Sequence, residues 1–75
     1  MTDEPATPQE IWAQIERADE LIKYASNRDP RTAYAQARET LERAMAVAKN
    51  VPGAAALEQQ ARTRLDDLAR LEDAT

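Results

Sequence analysis

The sequence predicts an all-α protein: an antiparallel three-helix bundle running up, down and up. Three observations carry that prediction. Composition is the first. The chain is rich in Ala, Leu, Glu, Arg and Gln, and has one Gly and no Phe. These are the residues that lose least on entering a helix, and the scarcity of β-branched and aromatic side chains argues against a sheet. The second is spacing: apolar residues recur every three or four positions in three segments. The third is punctuation. Two breaks, Asn27-Arg28-Asp29-Pro30 and Asn50-Val51-Pro52-Gly53, divide the chain into segments of similar length. At 75 residues the chain makes one domain at most, near the lower limit at which a core offsets chain entropy.

Residues 1–6 read as a disordered tail, followed by a bundle over residues 7–73 with helices near 8–27, 30–50 and 54–72. Helix 1 opens on Thr7 as N-cap, Pro8 at the first helical position and Glu10 completing a T-x-x-E capping box. Ile11, Ile15, Ala18, Ile22 and Ala25 form its seam, widened by Leu21, with Trp12 and Tyr24 beside it. Asp19 and Lys23 stand at i,i+4 and are expected to pair. Asn27 fits a left-handed helix end. Asp29 then caps helix 2 and Pro30 starts it. The short connection makes helices 1 and 2 antiparallel neighbours.

Helix 2 carries its seam on Tyr34, Ala37, Leu41, Ala44, Ala48 and Val51, flanked by Met45 and Val47. Glu39 and Arg43 should pair on the outer face, and Lys49 suits the last turn. Pro52 turns Val51 out of the helical region and Gly53 adds freedom. Helix 3 has an apolar edge of Ala54, Leu57, Ala61, Leu65, Leu68 and Leu71, with Glu58–Arg62 and Asp66–Arg70 as i,i+4 pairs. Glu72 to Thr75 should fray. Helices of about 20 residues span roughly 30 Å. Alanine at Ala18, Ala25, Ala37, Ala44 and Ala61 lets their axes come close.

Composition also weighs against several chemistries. The chain lacks His, the commonest general base near neutral pH and the commonest metal ligand, and it lacks Cys. Net charge is −4 with acids and bases interspersed, so no basic stripe points to nucleic acid. No apolar run approaches the roughly 20 residues of a membrane span. The N-terminus, Met1-Thr2-Asp3-Glu4-Pro5, lacks the features of a signal peptide, so a cytoplasmic location is the expectation. No nucleophile–base pair, glycine-rich phosphate loop or metal spacing is present. The expectation is a non-enzyme with no cofactor and no metal. Glu16, Asp19 and Glu20 read as a solvated face. Trp12 is expected to pack against helix 3 near Leu68 and Leu71 rather than to anchor a partner. Tyr34 reads as core, and Met45 as either core or groove.

The series Ala18, Ala25, Asp29, Tyr34, Ala37, Leu41, Ala44 resembles the first hairpin of microtubule-interacting and transport (MIT) domains. Those have Ala, Ala, Asp, an aromatic, Ala, an aromatic and Ala at the same offsets; Leu41 replaces the second aromatic. Arg64-Leu65-Asp66-Asp67-Leu68-Ala69-Arg70-Leu71 is similar to that family's third-helix segment, with Asp67 where the family favours Arg. The hairpin also resembles a tetratricopeptide repeat, with Ala25 in place of a Gly and the closing Pro delayed to Pro52. The MIT resemblance implies a non-catalytic module that takes a short helical or extended peptide into a groove between helices. Carried over residue by residue, that groove would use Leu41, Met45, Ala48, Ala61, Arg64, Leu65, Asp66 and Leu68. The partner would be a protein or an amphipathic peptide, with ESCRT-III-type tails as the family's usual ligands. The alternative is a self-associating structural protein, a weak homodimer, or a tethering domain of a larger one.

Overall fold

A computed structural model describes residues 7–27 and 29–74; the expected tail lies outside them. The described residues form three helices, α1 (Pro8–Lys23), α2 (Pro30–Ala48) and α3 (Ala55–Ala74), and one 3₁₀ turn over Ala25–Asn27. Among the described residues there is no strand. The all-α three-helix bundle is therefore the fold.

Each start is fixed by local chemistry. Thr7 is extended, and its Oγ1 accepts from the Glu10 N–H at 3.3 Å, with Pro8 beginning the helix behind it. Asp29 does the same for α2: Oδ1 accepts from the Arg31 N–H at 3.2 Å and Oδ2 from the Thr32 hydroxyl at 2.8 Å. Each cap satisfies one of the amide donors a helix start leaves unpaired, typically worth about 1 kcal/mol.

The ends depart from expectation in an instructive way. Helix 1 stops at Lys23, and the chain tightens into the 3₁₀ turn, where the Asn27 N–H donates to the Tyr24 carbonyl at 3.1 Å. Among the described residues no non-glycine has positive φ, so Asn27 is not the left-handed cap its type suggested. A 3₁₀ turn satisfies late carbonyls without that conformation. Among the described residues the left-handed region is used only at Gly53 (φ +81°). There α2 has ended at Ala48, and the chain reverses through Val51 into Ala54. Helix 3 runs to Ala74, past the end expected near residue 72, and Thr75 lies outside the described residues.

Packing follows the seams. Among the described residues, those buried are Ile11, Ile15, Ala18, Ala25, Ala33, Ala37, Leu41, Ala44, Ala48, Ala54, Ala61 and Leu68. Only Ile11, Ile15, Leu41 and Leu68 are large; the other eight are alanines. Leu21, Ile22, Tyr34, Met45, Val47, Val51, Leu57 and Leu65 seal the edges as half-buried side chains. Helix α2 is the centre of the molecule and packs on both neighbours, whereas α1 and α3 touch far less. Ala33 joins the core although it lies off the seam read from the sequence. No buried side-chain polar atom among the described residues lacks a partner.

An alanine at a fully buried contact leaves no room for a larger side chain. Ala37→Leu should therefore destabilise the fold by about 1–3 kcal/mol. Leucine at the exposed neighbour Ala35 should change stability by less than about 0.5 kcal/mol. Urea unfolding midpoints of the two variants provide the comparison.

Candidate functional site

The three helices make three seams, and the seams are closed differently. Between α2 and α3, Leu41, Ala48, Ala61 and Leu68 are fully or nearly fully buried, and Arg38 forms an ion pair with Glu72 across the top. The carry-over from the family placed those four side chains in an open groove. In the structure they are core, because alanine at Ala48 and Ala61 brings the helices too close to leave a channel. Met45 and Leu65 stay half-buried on the edge of that seam, and Asp66 is exposed.

Between α1 and α3, Arg64 is the tie. Its Nε donates to Asp19 Oδ1 at 2.8 Å and Oδ2 at 3.0 Å. Its Nη1 donates to the Gln60 carbonyl at 3.2 Å and to Gln60 Oε1 at 2.7 Å. The guanidinium also lies 5.7 Å from the Trp12 ring centroid. So Arg64, expected beside Leu65 in the peptide groove, turns the other way and clamps α1. Asp19 leaves the solvated face to meet it, and Lys23, its expected partner, lies over the Tyr24 ring instead, 5.5 Å from the centroid. Trp12 does face helix 3, but under Arg64 and still 40% exposed. Within α3, Arg70 reaches Asp67 at 3.6 Å rather than Asp66, and Glu58 does not pair with Arg62. Glu39–Arg43 forms as expected, at 2.8 Å.

The seam between α1 and α2 is the open one. Among the described residues no ion pair crosses it. On the flank away from α3 it widens into a furrow of about 390 Å³, with Arg17, Glu20, Leu21 and Tyr24 on one side and Asp29, Thr32, Ala33 and Gln36 on the other. A smaller hollow of about 110 Å³ lies towards the other end of the same flank, between Gln14 and Val47. Positions 10, 14, 17, 21 and 24 follow a 4-3-4-3 spacing, which keeps them on one helix face. Leu21 and Ala33 give the furrow an apolar floor. Arg17 and Glu20 stand on its rim, and neither has an ion-pair or side-chain hydrogen-bond partner among the described residues. A floor of this kind bordered by one free cation and one free anion can seat an apolar side chain and orient polar neighbours. Among the described residues no three His, Cys, Asp or Glu gather as metal ligands would, and no helix is long and apolar enough to cross a membrane.

The furrow could not be read from the seams, since sequence seams mark what is buried. The usable signal lay beside them, in Arg17, whose one oppositely charged neighbour a turn away, Glu20, follows it in the less favourable order. No protein-family model, curated protein or solved structure matches this chain.

Arg64 is the polar hinge pin of the α1–α3 seam. Arg64→Ala should cost about 0.5–1 kcal/mol, the upper range for a partly exposed pair, and should shift Trp12 fluorescence as the ring loses its cover. Arg70→Ala, at a largely exposed pair, should do neither. Tryptophan emission during chemical unfolding reports both.

Proposed function

We propose that this domain is a non-catalytic interaction module that takes a short amphipathic peptide between two of its helices, in the manner of MIT and tetratricopeptide modules. The observation that carries the reading is the difference among the three seams. Both seams made by α3 are bridged by an ion pair, and the α1–α2 flank is left open with unpaired charges on its rim. The furrow, rather than the α2–α3 groove of the resemblance, is then the docking site. A partner side chain would rest on Leu21 and Ala33, with polar groups of the peptide meeting Arg17, Glu20 and Gln36. The size suits one or two anchors rather than a whole buried helix, so recognition would be weak and set by a few residues. The same reading has the module working in the cytoplasm, as part of a larger assembly or polypeptide.

Titrating the ¹⁵N-labelled domain with amphipathic helical peptides of varied charge order tests this. Amide shifts should concentrate on Arg17 to Tyr24 and on Thr32 to Gln36. Shifts confined to the exposed face of α3 would overturn it.

A further inference from the structure

The outer face of α1 carries a second pattern, which shares Arg17, Glu20 and Tyr24 with the furrow. Ala13, Arg17, Glu20 and Tyr24 are spaced 4-3-4 and so form one stripe, and all four are exposed. Tyr24 is the most exposed of the large hydrophobic residues among those described, at 51%. Tyr24 continues the helical turn, its N–H donating to the Glu20 carbonyl at 3.0 Å. The order of the stripe is small, cation, anion, large. A two-fold axis crossing it midway between Arg17 and Glu20 sets Ala13 opposite Tyr24 and Arg17 opposite Glu20, twice over. A parallel pairing would instead set Arg17 against Arg17 and Glu20 against Glu20.

We propose that α1 pairs antiparallel with α1 of a second copy of this chain through Ala13, Arg17, Glu20 and Tyr24. The interface is isologous: each tyrosine covers the alanine of the other copy, and each arginine faces the other copy's glutamate. Charge complementarity selects this occupant, because Arg17 and Glu20 lie together on the stripe in self-complementary order and neither has an ion-pair partner among the described residues. One helix face buries less than the roughly 800 Å² per partner of a standard interface, so the dimer is weak and reversible. It goes beyond the peptide reading and is measured without any peptide, so the two can fail separately.

Sedimentation velocity at about 1 mM chain, where a weak complex is populated, tests the pairing with four proteins and one mixture. The wild-type chain should show a concentration-dependent dimer. Arg17→Glu and Glu20→Arg each place like charges in opposition and should weaken association at least about tenfold. An equimolar mixture of the two variants restores both opposite-charge contacts and should dimerise again, as should the doubly swapped chain. The substituted side chains are exposed, and unchanged helical circular dichroism will show that each variant folds. A monomeric wild-type chain, single variants that dimerise like it, or a mixture that stays monomeric would each overturn the proposal.

Discussion

Close approach of helices through alanine is the constraint on which this fold rests. Packed helix axes lie about 8–10 Å apart depending on the contact side chains, and small residues permit the lower end. Ala18, Ala37, Ala44 and Ala61 sit where α1 and α3 meet α2, so α2 is covered on two sides although few large side chains are available. The cost is area: alanine buries little, and Ile11, Ile15, Leu41 and Leu68 supply most of the apolar bulk. Local terms must then carry more than their usual share. Two side-chain caps, proline at the first position of α1 and α2, and high intrinsic helix propensity all lower the free energy of the same state.

A thin core also explains why charges define the surface. The two seams of α3 each gain a cross-helix ion pair, and that of α1 is elaborated into a small network in which Asp19, Gln60 and Trp12 all hold Arg64. Such a network fixes the angle of α3 more than it adds stability. Helix α1 is thereby tied to its neighbours on two sides and bears unpaired charge on the rest of its circumference. Recognition of a peptide and pairing with a second copy would both draw on that remaining arc, with Arg17, Glu20 and Tyr24 common to the two.

Much of the architecture was legible in the residues. Pro8, Pro30, Thr7 and Asp29 mark helix starts by mechanisms that act within one turn, and the three-four periodicity marks which face is buried. Helix ends were less legible, because a left-handed cap and a 3₁₀ turn satisfy the same carbonyls and Asn27 tolerates either. Charge pairing was the least legible. The i,i+4 rule gave Glu39–Arg43 but also gave Asp19–Lys23, and it is blind to an arginine 45 positions away along the chain. The expected groove went astray for a related reason. Spacing places Leu41, Ala48, Ala61 and Leu68 on facing helices, but only the distance between those helices decides whether they line a channel or fill it.

Native-state amide hydrogen exchange tests the central claim most directly, because it reads local stability along each helix. If alanine-mediated contact with both neighbours makes α2 the centre of the fold, the amides of Ala37, Leu41 and Ala44 exchange slowest of all, and only through global unfolding. If they exchange as fast as those in the last turn of α3, close packing on α2 is not what holds the molecule together.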